Sequence, residues 1–135
     1  MIFLGDYLMT TNFKVLHLDD NPVFLNMTKS LFENQKDINY EGVFSTKEAF
    51  SSIENRIPDL VLVDLMLEDQ ENPEPGVQFI EQVSKRYPKT CMFVLTSYKE
   101  NNIKEKISKY VREYFQKGCD PQFFISTVIR YLKQE

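Results

Sequence analysis

Short apolar runs alternate strictly with amphipathic helical stretches from Phe13 to Leu132. The runs have strand length and the stretches between them have helix length, so the chain reads as successive βαβ units. Crossovers between parallel strands are right-handed, which leaves one economical solution. The expected fold is therefore α/β: a five-stranded parallel sheet, doubly wound, with helices on both faces.

The expected strands cover about Lys14 to Leu18, Tyr40 to Phe44, Leu60 to Val63, Met92 to Leu95 and Glu113 to Gln116. The third is apolar without alternation, as a central strand covered on both faces should be. Helix starts carry capping chemistry. Asn21 precedes Pro22, Ser45 is followed three residues on by Glu48, and Asp120 precedes Pro121. The expected inward faces are Phe24, Met27 and Leu31 for the first helix, and Ala49, Phe50, Ile53 and Ile57 for the second. The third presents Phe79, Ile80, Val83 and Tyr87. The fourth presents Ile103, Ile107, Tyr110 and Val111, and the fifth Ile125, Val128, Ile129 and Leu132. A long polar loop runs from Leu67 to Pro75.

The residues at the ends of these runs carry the chemistry. One run ends in Asp19-Asp20, another in Asp64, another in Thr96-Ser97 and another in Lys117. In an open parallel sheet, the carboxyl ends of the strands share one edge, where ligands bind. Three carboxylates, a hydroxyl and an ammonium thus converge. Clustered carboxylates repel unless a divalent cation sits among them, and hard oxygen ligands suit Mg2+. This set of groups suits phosphoryl transfer to an aspartate. The alternative for Asp19-Asp20 is simple helix capping.

A chain of 135 residues, 42% hydrophobic, is one domain with a real core. Its net charge of −4 argues against a nucleic-acid footprint spread over the surface. No stretch reaches the ~20 apolar residues of a membrane span. Cys91 and Cys119 lack metal-ligand spacing and read as free thiols in a reducing, cytoplasmic setting. The expected partition is an N-terminal extension over residues 1–12, disordered or starting in truth at Met9, and one domain over 13–135. His17, the only histidine, reads as a hydrogen-bonded core residue. The lysines of the fourth helix read as a solvated face.

With these residues in place, the chain resembles the receiver domains of two-component response regulators, here of a stand-alone type, over about Phe13 to Leu132. The resemblance implies a flavodoxin-like strand order of 2-1-3-4-5. It implies Asp64 as phosphoacceptor, with Thr96 and Lys117 contacting the phosphoryl group. It implies Mg2+ held by Asp20 and Asp64, by Asp19 through water, and by the backbone carbonyl of Met66. Thr96 and Tyr114 fall on the family's switch positions. The implied partners are a sensor histidine kinase or phosphotransfer protein, and a downstream protein on the surface of helix 4, strand 5 and helix 5. No nucleic acid and no membrane partner is expected, and no turnover enzyme beyond self-phosphorylation and slow dephosphorylation. Two departures stand out. Gly118 follows Lys117 where the family has proline, so a trans peptide is expected there. Gly76, the glycine matching the family's loop, lies about four residues late, behind Glu68, Asp69, Glu71 and Glu74.

Three other functions compete. A pseudo-receiver would bind partners without phosphorylation. A phosphatase of the haloacid-dehalogenase type would need an acidic residue where Met66 stands. A flavodoxin-like FMN protein would need a hydroxyl-rich loop after the first strand.

Overall fold

A computed structural model describes residues 12–67, 72–99 and 101–134. Strands and helices alternate throughout. The elements are β1 Phe13–Leu18, α1 Pro22–Leu31, β2 Ile38–Val43, α2 Thr46–Asn55 and β3 Leu60–Val63, then α3 Glu74–Arg86, β4 Met92–Thr96, α4 Asn101–Ile107, β5 Glu113–Gln116 and α5 Pro121–Lys133. All strand pairs are parallel, in the order β2-β1-β3-β4-β5. This is the doubly wound sheet expected from the alternation.

Side chains alternate across the sheet. Leu16, Leu18, Val61, Val63, Met92 and Val94 pack against α2, α3 and α4 through Ala49, Ile53, Val77, Ile80, Val83 and Ile107. Val15, Leu60, Leu62, Phe93, Leu95 and Phe115 pack on the opposite face against Phe124, Ile125, Val128 and Leu132 of α5. All of β3 is buried.

The helix caps form as read. Asn21 accepts from the Val23 and Phe24 amides at 3.0 and 3.1 Å. Ser45 and Glu48 make a reciprocal box: Glu48 N donates to Ser45 Oγ and Phe44 N donates to Glu48 Oε1. Asp120 accepts from Gln122 N. Each such cap stabilises a helix by about 1 kcal/mol.

Several local expectations are corrected. Met27 is exposed; α1 instead buries Leu25 and Thr28, with Phe32 just past its end. Ile57 is exposed and lies beyond α2, whose C-cap is Arg56. β2 starts at Ile38 and excludes the exposed Phe44. Tyr110 and Val111 follow the end of α4, and α5 also buries Phe124 and Thr127. Glu74 and Pro75 belong to the first turn of α3, where an acidic residue suits the helix dipole. Glu68, Asp69 and Glu71 lie outside the described residues, as do residues 1–11 of the expected extension over 1–12.

Candidate functional site

The register of the sheet assembles the site. Leu18 pairs with Val63, so Asp19 and Asp64 leave neighbouring strands side by side. Thr96 pairs with Gln116, and the amide of Lys117 donates to the Thr96 carbonyl at 2.8 Å. Asp19, Asp20, Asp64, Thr96 and Lys117 therefore meet at one sheet edge.

Asp64 is 1% exposed and held at both oxygens. Its Oδ1 accepts from Thr96 Oγ1 at 2.7 Å and from the Met66 amide at 3.0 Å. Its Oδ2 pairs with Lys117 Nζ at 3.0 Å. The same ammonium lies 2.8 Å from Asp19 Oδ2. Asp19 Oδ1 accepts from the Asn21 amide at 2.9 Å. Carboxylate oxygens of Asp19, Asp20 and Asp64 all lie within 4.8 Å of one another. Three carboxylates against one ammonium leave an excess of negative charge equal to one divalent cation, when all are ionised. These hard oxygens form a donor set that fits such an ion.

The electrostatics show a site short of positive charge. Burial raises the Asp19 pKa to about 6, and Asp64 adds to the rise while Lys117 opposes it. Burial works against the charge of Lys117, but Asp19 and Asp64 outweigh it and raise the lysine's pKa.

Two glycines shape the loops. A Cβ on Gly76 would sit 2.5 Å from Leu65 Cα and 2.9 Å from the Asp64 carbonyl. Glycine alone lets α3 start directly against the backbone that carries Asp64. Gly118 has φ +92°, which favours glycine, and open space around it. No cis peptide occurs among the described residues, so Lys117–Gly118 is trans as expected.

Tyr114 is half-buried, and its hydroxyl donates to the Tyr98 carbonyl at 3.2 Å. Burial, then Tyr98 and Asp64, push its pKa up to about 12, so it stays protonated. The Tyr98 amide in turn donates to Thr96 Oγ1 at 3.2 Å. Tyr98 thus links Thr96 to β5, a role no side-chain pattern could announce because its backbone carries the bonds. Gln116 Nε2 also reaches the Tyr98 carbonyl, at 3.2 Å.

His17 is fully buried, with Nδ1 2.6 Å from the Tyr40 hydroxyl. Burial and then Lys117 lower its pKa to about 3, so it is the neutral core residue expected. Burial and then Asp120 raise the Cys119 pKa, which leaves an unactivated thiol. Both cysteines are free. Among the described residues, no helix is long and apolar enough to cross a membrane.

Comparison with known proteins agrees with this geometry. The family described as "Response regulator receiver domain" matches residues 15–129. An uncharacterised transcriptional regulatory protein of Bacillus subtilis, YhcZ, is 30% identical over 116 residues, 84% of this chain and 52% of that protein. The response regulator protein VraR of Staphylococcus saprophyticus is 37% identical over 90 residues, 66% of this chain and 41% of that protein. The chain thus spans about half the length of these relatives. The expected absence of a nucleic-acid partner finds no support in such a comparison, since one relative is named a transcriptional regulator. A CheY-like receiver domain from Methanospirillum hungatei superposes with a TM-score of 0.78 at 22% identity, covering 92% of this chain and 96% of its own. At that identity the likeness shows the fold. The family match over nearly the whole chain, with the aspartates, threonine and lysine gathered at the sheet edge, makes this chain a member of the response regulator receiver-domain family.

Proposed function

We propose that this domain is a phosphoacceptor module of a two-component or phosphorelay system, phosphorylated on Asp64 in a Mg2+-dependent reaction. The observation that carries the reading is the grip on Asp64. Thr96 and the Met66 amide bond one oxygen and Lys117 pairs with the other, next to Asp19 and Asp20. An Asp64 oxygen forms a bond to phosphorus as the donor's bond to phosphorus breaks, and the donor leaves with that electron pair. Such a transfer asks the protein mainly for positioning and charge neutralisation. Thr96 donates to, and Lys117 pairs with, the oxygens of the incoming group. Asp20 and Asp64 would hold Mg2+ directly, Asp19 through water and Met66 by its carbonyl. When bound, the ion supplies further neutralisation of phosphoryl charge.

The donor is a sensor histidine kinase or a phosphotransfer protein, in the cytoplasm. The output is a protein bound at α4, β5 and α5. A groove of about 360 Å3 between α4 and β5, lined by Lys104, Ile107, Val111, Arg112 and Tyr114, offers a place for it. The bonds from Asp64 to Thr96, Tyr98 and Tyr114 supply a route from acceptor to groove. The domain acts only on its own phosphoryl group and turns over no external substrate.

Incubation with Mg2+ and acetyl phosphate tests the reading by intact mass. The wild type should gain one phosphoryl group, lost on adding a chelator, and Asp64→Asn should gain none. Equal gain on Asp64→Asn would refute the assignment. No gain on the wild type would favour a pseudo-receiver that binds its partners unphosphorylated.

A further inference from the structure

We propose that Phe24 is a positioning residue for Lys117, its ring face holding the ammonium at the acidic cluster by a cation–π contact. The inference rests on the phosphoacceptor reading above and adds a residue to it.

Lys117 Nζ lies 4.4 Å from the centroid of the Phe24 ring. That is well inside the ~6 Å within which a cation is attracted to a ring face. The lysine side chain is 18% exposed, so water screens the contact little. The ammonium donates to Asp64 Oδ2 at 3.0 Å, lies 2.8 Å from Asp19 Oδ2 as an ion pair, and faces the ring. The ring differs from the other two. It attracts the charge through its quadrupole without offering a carboxylate oxygen. It can therefore steady the ammonium while Lys117 exchanges a carboxylate oxygen for a phosphoryl oxygen.

The backbone gives a reason for such a device. Gly118 follows Lys117 with φ +92° and nothing within 4 Å of where a Cβ would be. The Lys117 amide is fixed on the Thr96 carbonyl at 2.8 Å, but the flexible four-carbon stem beyond it is not, so contacts of the side chain set where Nζ sits.

The ring itself is well anchored. The Phe24 amide donates to Asn21 Oδ1 at 3.1 Å. The ring meets His17 edge-on, with centroids 6.1 Å apart and planes at 79°. His17 is fully buried and held by Tyr40, which stacks on Phe32 at 5.2 Å. Phe24 thus ties the first turn of α1 and the C-terminal end of β1 to the lysine after β5.

The test replaces Phe24 by pentafluorophenylalanine in the full chain, which keeps ring shape but removes the negative face. Phe24→Leu and Phe24→Trp accompany it. Two quantities are read: the Lys117 ε-methylene proton shifts by NMR, and the rate of Asp64 phosphorylation by acetyl phosphate with Mg2+. In the wild type the ε-methylene protons should be shifted upfield by the ring, and Phe24→Leu should abolish the shift. Phosphorylation should slow about three- to tenfold with the fluorinated ring, and the tryptophan variant should retain the wild-type rate. A fluorinated protein phosphorylated at the wild-type rate would overturn the proposal, even if the leucine variant were slow through misfolding. Absence of an upfield shift in the wild type would overturn it as well. If the wild type accepts no phosphoryl group, the phosphoacceptor reading fails, and the proton shift alone then judges the contact.

Discussion

A buried lysine and a half-buried one stand at opposite ends of the sheet, and their surroundings differ in kind. Lys14, near the start of β1, donates to the carbonyls of Ser52 and Arg56 at 2.7 Å each, where α2 ends. Lys117, after β5, lies between the carboxylates of Asp19 and Asp64. Burial lowers the pKa of Lys14, against weaker support from Glu41 at 4.0 Å, and Arg56 adds to the fall. Burial acts the same way on Lys117, yet its carboxylates win and raise the pKa. One ammonium is a cap on a helix end, satisfied by neutral carbonyls. The other is held by charges that an incoming phosphoryl group can replace. Burial of a lysine therefore does not mark a functional site; the charge of its partners does.

The comparison breaks first on reaction rate. Lys117→Met should slow Asp64 phosphorylation by acetyl phosphate by about 100-fold or more, the usual loss when a charge-stabilising group is removed. Lys14→Met should leave that rate unchanged. Rapid-quench or intact-mass kinetics on the two variants would decide, and equal slowing by both would erase the distinction.

Stability should separate them next. Lys14→Met leaves the end of α2 without its donor and should cost about 1–3 kcal/mol in urea unfolding, whether or not Mg2+ is present. Lys117→Met leaves two buried carboxylates without their cation and should cost about 3–5 kcal/mol without Mg2+. Adding Mg2+ should restore part of that loss, because the ion binds the folded cluster and not the unfolded chain. A Lys14→Met protein rescued by Mg2+ would contradict the assignment.

Alkaline pH sharpens the contrast at smaller amplitude. Lys14 has a folded pKa below that of the unfolded chain. Between those two values the unfolded state binds more protons, so stability rises with pH. Wild type should therefore gain on Lys14→Met as pH climbs toward 10.5 in urea titrations. A shrinking advantage of wild type over Lys14→Met in that range would show that the charged form of Lys14 is the favoured one.

The smallest effect concerns the route away from the site. Tyr114→Phe removes the bond to the Tyr98 carbonyl and should cost about 0.5–1.5 kcal/mol. Asp64 should still accept phosphate, but amide exchange over residues 97–117 should respond less to phosphorylation. An undiminished response would remove the tyrosine from the route.

The sheet and its reactive edge were legible because strand ends need no knowledge of packing: an apolar run stops, and its next residue lies at the edge. Asp19, Asp64, Thr96 and Lys117 were all found in this way. Helix faces were harder. Thr28 is buried although polar, since its hydroxyl donates back to the Phe24 carbonyl at 2.9 Å. A count of apolar residues therefore rotated α1 toward Met27. Lys14 was read only as the start of the first strand, because its partners are carbonyls 38 and 42 positions away. Phe24 was read only as core packing, and its contact with Lys117 depends on two loops that no spacing reveals. Tyr98 acts through its backbone, which carries no sequence signal. The long acidic loop and the N-terminal segment remain expectations of composition, because residues 68–71 and 1–11 lie outside the described structure.

Beryllofluoride, a phosphoryl mimic, puts the central claim to its most direct test, read by fluorine NMR on wild type, Lys14→Met and Lys117→Met with Mg2+. Wild type and Lys14→Met should show the same bound resonances, absent from Asp64→Asn, and Lys117→Met should lose them or bind much more weakly. Equal resonances from both lysine variants, or from Asp64→Asn, would contradict the account.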